Sequence, residues 1–490
     1  DHYFDRTDAA VVFKRQDNRT GAVKYIYHGN DGTSMPWNDT AQLNYLNPEV
    51  REAVIQTIIE VARKFPIIRF DAAMTLAKKH FQRLWFPQPG SGGAIPSRAE
   101  YGMTMEAFNK AMPVEFWREV VDRVAVEAPD TLLLAEAFWL MEGYFVRTLG
   151  MHRVYNSAFM NMLRNEDNAG YRKLVTNTLE FEPEILKRYV NFMNNPDERT
   201  AVDQFGKGDK YFGICVLMAT LPGLPMLGHG QIEGFSEKYG MEFRKAYWEE
   251  TVDQDLVARH DWDVFPLLHQ RRLFAGVENF HFYDYVIGNS QVNENVYAYS
   301  NRDGDKSALI VYNNNFQETS GSIHYSVRQT RRVGNAKKIE QVPLAEALDL
   351  PADPGAFLVF RDQITKLQFI RPMSEILQRG MYFKLRGYQY YVLMDFHIVH
   401  SDSLHDYDRL YRYIGNQGVT DINKALSELV LRPIQDPFKA IVDYEYLNYL
   451  AEKYSKGNSI EQTDTKELEQ KTRANPSHQM KTVEAQRVSP

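Results

Sequence analysis

Three carboxylates in this sequence each follow a short apolar run. The acids and their runs are Asp71 after residues 67–70, Glu136 after residues 132–135, and Asp197 just beyond residues 189–193. Runs of four to six apolar residues bounded by polar ones predict buried parallel strands. In a parallel barrel, the residues at the C-terminal ends of the strands meet on one face. The sequence therefore predicts that three acids converge, which is the layout of an active site.

Arg69 lies two residues before Asp71, and residues two apart on a strand point to the same side. A guanidinium beside a carboxylate favours its ionised form and fixes its orientation, as a carboxylate nucleophile requires at neutral pH. Each residue alone has a structural alternative. These are an ion pair for Arg69 and Asp71, a solvent-facing strand end for Glu136, and a polar loop or helix cap for Asp197. Only the coincidence of the three acids indicates catalysis.

Several elements would position these acids. Asn47 and Pro48 predict the start of a helix that runs to Lys64. An amphipathic helix is predicted over residues 113–127, directly before the Glu136 strand. Between them, a Pro- and Gly-rich segment over residues 87–96 predicts a long loop above the strand ends. The later helices are predicted over residues 211–220 and 262–274.

Around the three acids the sequence resembles the α-amylase family, retaining glycoside hydrolases and transglycosylases built on a (β/α)8 barrel. Five motifs occur in the family's order and together span about residues 37 to 275. They are residues 42–51 after strand three, 69–73 (Arg-Phe-Asp-Ala-Ala) at strand four, 135–139 (Ala-Glu-Ala-Phe-Trp) at strand five, 192–197 at strand seven, and 223–231 at strand eight.

The resemblance implies double displacement, with Asp71 as the nucleophile, Glu136 as the acid/base and Asp197 as the stabiliser of the transition state. Glu136 must begin protonated, so a raised pKa is expected, with neighbouring aromatic side chains supplying an apolar setting. The scheme requires no metal or organic cofactor; calcium is left open, although no motif indicates it. The residues placed around the substrate are Arg69, Asn195, Phe138 and Trp139.

The sequence departs from the family at two places. Pro196 stands where the family usually has a histidine, which removes a hydrogen-bond donor to the sugar, and Met74-Thr75 stands where many members have Lys-His. The strand-three motif and candidates for strands one to three are missing before Gln42, and the chain begins with Asp. We therefore expect a barrel that is cut before strand four. A missing N-terminal barrel segment of the same chain is then an expected partner.

The predicted fold class is α/β: the C-terminal part of a (β/α)8 TIM barrel, then a small all-β sandwich and a helical extension. Beyond about residue 277 the apolar pattern alternates, which predicts strands. Four tyrosines there, at positions 283, 285, 297 and 299, are predicted to pack in the core rather than to form a sugar platform. The predicted domains are residues 1–277, 278–400, 401–456 and a disordered tail over 457–490.

Composition decides little about function by itself, although it argues against some classes of function. The net charge of -7 argues against nucleic-acid binding, and the longest apolar runs are far shorter than a membrane span. Cys215 is the one cysteine, which excludes an internal disulfide, and its apolar setting predicts a buried, inert thiol. The predicted function is cleavage of α-glucosidic bonds in α-glucans or maltooligosaccharides, with an oligosaccharide as the binding partner. The alternatives are an α-glucan transglycosylase and an inactive carbohydrate-binding or scaffold homologue.

Overall fold

The structure is a computed structural model, and it describes residues 11–33, 36–138, 141–238, 245–288, 290–333 and 336–455. The predicted tail over 457–490 and Trp139 lie outside the described residues. The chain divides into two compact units. The first comprises Asp1–Pro354, Asp362–Thr365 and Met373–Phe396, and the second comprises Gly355–Arg361, Lys366–Pro372 and His397–Pro490. The predicted boundary after residue 277 lies inside the first unit; the domain limits stay a prediction.

The first unit begins with an antiparallel hairpin of β1 (Val12–Gln16) and β2 (Val23–Tyr27). Sequence analysis found no strand candidate before Gln42, and it missed this hairpin. Most side chains of the two strands are exposed or half-buried, so neither strand contains the apolar run on which that search relied. The hairpin pairs with itself and is separate from the parallel sheet described next.

Five parallel strands in sequential order form the central sheet of the first unit. They are β3 (Ile67–Phe70), β4 (Leu132–Ala135), β5 (Arg153–Tyr155), β6 (Tyr189–Phe192) and β7 (Leu224–Met226). Strand β5 was not predicted, because it is three residues long and begins with a charged residue. Strands alternating with helices are typical of α/β folds.

Helices precede, connect and follow the strands of this sheet. They are α1 (Pro48–Ala62), α2 (Lys78–Trp85), α3 (Met105–Ala111), α4 (Phe116–Glu127), α5 (Glu142–Arg147), α6 (Ser157–Arg164), α7 (Asn168–Phe181), α8 (Ala201–Phe205), α9 (Asp209–Thr220), α10 (Gln254–Arg259), α11 (Phe265–Leu268) and α12 (Arg271–Ala275). Shorter helical turns are Ala73–Leu76, Pro96–Tyr101, Pro183–Arg188 and His260–Val264. None of the described helices combines the length and apolar composition that a transmembrane segment needs.

The start of α1 agrees with its sequence signal, since the Asn47 side chain accepts a hydrogen bond from the Glu49 N–H and Pro48 is the first helical residue. The helix ends at Ala62, two residues before the predicted Lys64. The segment predicted as one helix over residues 262–274 is instead divided among the His260–Val264 turn, α11 and α12.

The first unit also contains antiparallel strands. They are β8 (His281–Tyr283), β9 (Val286–Ile287), β10 (Gln291–Val292), β11 (Val296–Asp303), β12 (Lys306–Asn313), β13 (Thr319–Ile323), β14 (Gln329–Val333), β15 (Ala336–Glu340), β18 (Met381–Leu385) and β19 (Tyr390–Val399), with helices α13 (Leu344–Ala347) and α14 (Met373–Arg379). Their orders are β19-β12-β11-β8 and β10-β9-β13-β18, with β14 and β15 as a separate hairpin. Phe383 and Tyr391 bring the two larger sheets into contact, with ring centroids 6.1 Å apart.

The second unit contains the hairpin of β16 (Phe357–Asp362) and β17 (Gln368–Pro372) and three helices. The helices are α15 (Tyr407–Ile414), α16 (Ile422–Ile441) and α17 (Tyr444–Ser455). Phe357, Ile370, Leu410 and Leu426 belong to its apolar core. Helices thus occupy much of the predicted region 401–456.

The four alternating tyrosines are core residues, as predicted, with at most 1% of each exposed. Their hydroxyls are also bonded, which removes the cost of burying them. The partners are Ser300 Oγ for Tyr283, the Phe383 carbonyl for Tyr285, Asn168 Oδ1 for Tyr297 and Thr220 Oγ1 for Tyr299.

Cys215 in α9 is fully buried, which confirms the prediction of a buried thiol. Burial raises its pKa to about 12, so the thiolate that a nucleophile needs is not formed near neutral pH.

Gly213 marks a close contact between the helices of the parallel sheet and the antiparallel strands. It lies in α9, and a methyl group there would overlap the ring of Tyr312 on β12. In an ordinary helix, Gly→Ala stabilises by about 1 kcal/mol. Here the overlap reverses the sign, because overpacking a core costs about 1–3 kcal/mol.

We therefore expect Gly213→Ala to lower the midpoint of thermal unfolding. Gly143→Ala in α5 is the matched control, since a methyl group there meets only the flexible guanidinium of Arg147, at 3.2 Å. Calorimetry on both variants checks this. A Gly213→Ala protein as stable as the Gly143→Ala protein would show that the two layers do not pack as described.

Candidate active site

The register between β3 and β4 places two acids side by side. Phe70 is paired with Ala135, and the next residues in the two strands are Asp71 and Glu136. The Glu136 N–H donates to the Phe70 carbonyl at 3.0 Å. This hydrogen bond continues the pairing of the two strands one residue beyond the Phe70–Ala135 pair. Neighbouring parallel strands that end in register therefore present their carboxylates at one edge.

Arg69 joins the two acids through one nitrogen. Its Nη2 lies 2.8 Å from Asp71 Oδ1 and 3.2 Å from Glu136 Oε2. Its Nε donates to the Tyr155 hydroxyl at 2.5 Å, and the guanidinium lies 5.3 Å from the centre of that ring. Burial alone would lower the pKa of Arg69, but its interactions with Tyr155, Glu136 and Asp71 more than offset the effect of burial, so this pKa is raised. Arg69 thus stays charged between the acids.

Glu136 is 3% exposed, whereas the Asp71 side chain is 49% exposed. Burial, and next the proton-sharing contact with Asp71, raise the pKa of Glu136 to about 7. Its Oε2 accepts from Arg69 and from the Ala72 N–H at 2.9 Å. Its Oε1 is buried and has no hydrogen-bond partner among the described residues. Oε2 thus accepts two hydrogen bonds, whereas Oε1 accepts none from the described residues.

Asp197 reaches the same place from the loop after β6. One carboxyl oxygen from each of Asp71, Glu136 and Asp197 lies within 4.8 Å of the others. Asn195 shapes this loop, because its Oδ1 accepts from the N–H groups of Asp197 at 3.0 Å and Glu198 at 2.9 Å. Lys238 Nζ also donates to the Asp197 carbonyl. The three acids that the sequence separates by 126 positions, from 71 to 197, thus form one cluster.

The predicted substrate-binding residues are placed differently. Asn195 uses its side-chain oxygen to hold the Asp197 loop, and Arg69 is engaged by the two acids and Tyr155, so both position the carboxylates. Phe138 is half-buried and packs against the apolar core that contains α2 and α4. Trp139 lies outside the described residues. The substrate-binding role of these four residues stays a prediction.

The Met74-Thr75 pair sits in the turn after Asp71. Met74 is 3% exposed and belongs to the core, while the Thr75 hydroxyl donates to the Ala72 carbonyl at 2.9 Å. These two side chains stabilise the turn. The departure from the family pattern at this point therefore has a local structural use.

Sequence analysis missed two residues of the site. Tyr155 orients Arg69 and lies at the end of β5, a strand too short to give a periodic signal. Ala72 has a left-handed backbone, with φ of 42°, which is uncommon for a residue other than glycine. That conformation directs the Ala72 N–H at Glu136. A backbone contact of this kind leaves no mark in the sequence.

The separation of the three carboxyls would also allow them to ligate a divalent cation. Arg69 Nη2 already lies within 3.2 Å of two of the acids, so a cation there would share them with the guanidinium.

No protein-family model matches this chain, and no curated protein sequence gives a significant match. Solved structures that align with this chain include an α-amylase from H. orenii, at 15% identity and a TM-score of 0.44, with 78% of this chain and 72% of that chain covered. An α-amylase from Geobacillus thermoleovorans is 14% identical, with a TM-score of 0.47, and the alignment covers 81% of this chain and 74% of that chain. A debranching enzyme from Nostoc punctiforme is 14% identical, with a TM-score of 0.47, and the alignment covers 73% of this chain and 64% of that chain. Identities and scores this low do not assign a family by themselves.

The raised pKa of Glu136 predicts a pH dependence of stability. Its folded-state pKa of about 7 exceeds the ordinary value of 4.5, so the folded protein holds this proton more tightly than the unfolded chain does. The resulting stabilisation is complete below about pH 4.5 and is lost as the pH rises through 7. Glu136→Gln has no such proton and should gain stability relative to the parent protein across that window.

Thermal unfolding of both proteins at pH 5 and pH 8 measures this change. Glu60→Gln, which removes an exposed carboxyl on α1, is the matched control. If the difference between the Glu136→Gln protein and the parent is the same at both pH values, the pKa of Glu136 is not raised.

Proposed function

We propose that this chain is a glycoside hydrolase of the α-amylase type that cleaves α-glucosidic bonds in α-glucans or maltooligosaccharides by a retaining mechanism. The observation that carries this proposal is the Asp71–Glu136 pair. Carboxyls about 5–5.5 Å apart serve retaining enzymes, whereas inverting enzymes need about 6.5–9.5 Å to admit a water molecule. The nearest oxygens of this pair lie within 4.8 Å, on the retaining side of that division.

The two acids have the different environments that the first chemical step needs. Asp71 is half-exposed and paired with Arg69, which orients the carboxylate that attacks the anomeric carbon. Glu136 is buried and holds its proton, which it gives to the glycosidic oxygen as that bond breaks. The products of this step are a glycosyl ester on Asp71 and a leaving sugar with a new hydroxyl group.

In the second step the ionised Glu136 takes a proton from a water molecule, which attacks the anomeric carbon and releases Asp71. A sugar hydroxyl in place of water would make the same site a transglycosylase. Asp197 faces the same reaction centre and is assigned to the sugar's hydroxyls, where it favours the oxocarbenium-like ring. Asn195 supports that role by fixing the backbone that carries Asp197.

The fold is consistent with this proposal. Strands β3 to β7 are assigned to strands four to eight of a (β/α)8 barrel, because the acids follow the first, second and fourth of these strands, as in the α-amylase motifs. The two antiparallel sheets after them are assigned to the β-sandwich. No cofactor is assigned, since the proton on Glu136 and the charge of Arg69 supply the acid catalysis and the electrostatic stabilisation.

Removing the acid, Glu136, should slow the cleavage of substrates with poor leaving groups more than that of substrates with good leaving groups. Glu136→Gln keeps the shape of the side chain but cannot deliver a proton, and general acid catalysis contributes about 10² to 10⁴ in rate. We expect turnover of maltooligosaccharides to fall by that factor. The initial burst of fluoride release from an α-maltosyl fluoride should fall much less, because fluoride leaves without a proton; steady turnover still needs Glu136 as the base of the second step. Reducing-sugar release and fluoride release measure the two rates, with Glu60→Gln as the control.

Product analysis separates the remaining alternatives. Nuclear magnetic resonance of the first-formed product should show the α-anomer, and a β-anomer would contradict the retaining mechanism. Chromatography of the products measures the ratio of hydrolysis products to transfer products. A parent protein that turns over neither substrate would favour the inactive carbohydrate-binding homologue.

A further inference from the structure

The segment that carries Asp197 has almost no apolar side chain to anchor it. It comprises residues 194–199, Asn-Asn-Pro-Asp-Glu-Arg, between Met193 and helix α8, and Pro196 is its one apolar residue. The burial of apolar surface, which is the main stabilising term in a fold, therefore contributes little here. Hydrogen bonds to polar groups have to hold this segment in place.

Gln204 in α8 joins the two ends of this segment. Its Nε2 donates to the Met193 carbonyl at 3.0 Å and to the Arg199 carbonyl at 2.7 Å. Met193 directly precedes the segment, and Arg199 is its last residue. The side-chain amide thus places its two donor hydrogens on main-chain oxygens that lie four residues before and two residues after Asp197.

The orientation of the Gln204 amide is fixed from its other side. Arg164 Nη1 donates to Gln204 Oε1 at 2.6 Å, and Arg164 Nη2 donates to Asn161 Oδ1 at 3.0 Å. Because a guanidinium can only donate, the amide oxygen faces Arg164 and the amide nitrogen faces the segment. Helix α8 is too short to be stable by itself, so packing fixes its place. Val202 and Phe205 of this helix belong to the apolar core.

We propose that Gln204 is a positioning residue for Asp197: it holds the main chain on both sides of that acid and so keeps its carboxyl beside those of Asp71 and Glu136. Gln204 is 8% exposed and bonds to main-chain oxygens, so it acts through the segment and not on the substrate. The inference rests on the function proposed for Asp197. Because that acid serves the sugar ring, loss of Gln204 slows both chemical steps.

The test replaces Gln204 by glutamate, which keeps the shape and the oxygen that Arg164 bonds but, when ionised, has no donor for the two carbonyls. Gln82→Glu is the matched control. Gln82 is 3% exposed, and its Nε2 donates to the Met103 carbonyl at 3.4 Å, outside the segment that carries Asp197. If Gln204→Glu does not fold, Gln204→Met, which has a similar length and no donor, serves the same comparison.

We expect Gln204→Glu to lower two rates by the same factor, between about tenfold and 10²-fold, because a displacement of about 1 Å can cost that much. The two rates are kcat on maltooligosaccharides and the initial burst of fluoride release from an α-maltosyl fluoride. Equal losses on both substrates distinguish a defect at the sugar ring from loss of the acid Glu136, which affects the fluoride much less. Gln82→Glu should leave both rates unchanged.

A double-mutant cycle distinguishes positioning from a general loss of folded protein. If Gln204 acts through Asp197, Gln204→Glu should not lower the fluoride burst further in a protein that already carries Asp197→Ala. Amide hydrogen exchange of residues 194–199, followed by mass spectrometry, checks the structural step without substrate. These amides should exchange faster in Gln204→Glu than in the parent, and not in Gln82→Glu.

The outcomes separate this inference from the proposed function. An active parent with unchanged rates in Gln204→Glu, additive losses in the cycle, or unchanged exchange of residues 194–199 would each overturn the role of Gln204 and leave the assigned activity intact. A parent protein that turns over neither substrate would overturn the proposed function and, with it, the catalytic consequence assigned to Gln204.

Discussion

The arrangement of the candidate active site depends on one shared positive charge. Without Arg69, two carboxyls that follow adjacent strands in register would repel each other once both are ionised. The guanidinium lies in contact with both, and the Tyr155 hydroxyl fixes its direction. The same nitrogen of Arg69 contacts both acids. If the guanidinium follows one acid, its contact with the other acid is weakened. The acid that is less exposed then retains the proton, which divides the roles of Asp71 and Glu136 by environment alone.

Buried polar groups elsewhere in the first unit bond to one another. Asn168 and Asn314 are almost fully buried, and each bonds the other through their side-chain amides, at 2.7 Å from Nδ2 of Asn314 to Oδ1 of Asn168. Further bonds to Asn295 and Tyr297 complete that network. A satisfied network specifies how a helix packs on a sheet. Among the described residues, Glu136 Oε1 and the amide of Asn301 have no such partners.

Sequence patterns predicted the elements that are long or strongly apolar. Strands β3, β4 and β6 and the acids after them follow from buried runs, and α1 follows from its cap at Asn47. The hairpin β1–β2 and strand β5 were missed, because half-buried or three-residue strands carry no apolar run. The positioning roles of Asn195 and Tyr155 could not be predicted either. The role of Tyr155 depends on its contact with Arg69, which lies 86 positions away in the sequence. The role of Asn195 depends on a turn of the backbone that leads to Asp197.

The left-handed backbone at Ala72 shows how such a turn serves chemistry. Holding a residue other than glycine in this region costs about 1–3 kcal/mol, and such strain persists only where surrounding contacts impose it. Here the Thr75 hydroxyl bonds the Ala72 carbonyl, and the Ala72 N–H bonds Glu136 Oε2. With Arg69 donating to the same oxygen, Oε2 receives two hydrogen bonds and is disfavoured as the site of a proton. In the proposed mechanism, the turn after Asp71 therefore helps to fix the orientation of the carboxyl group that acts as the acid.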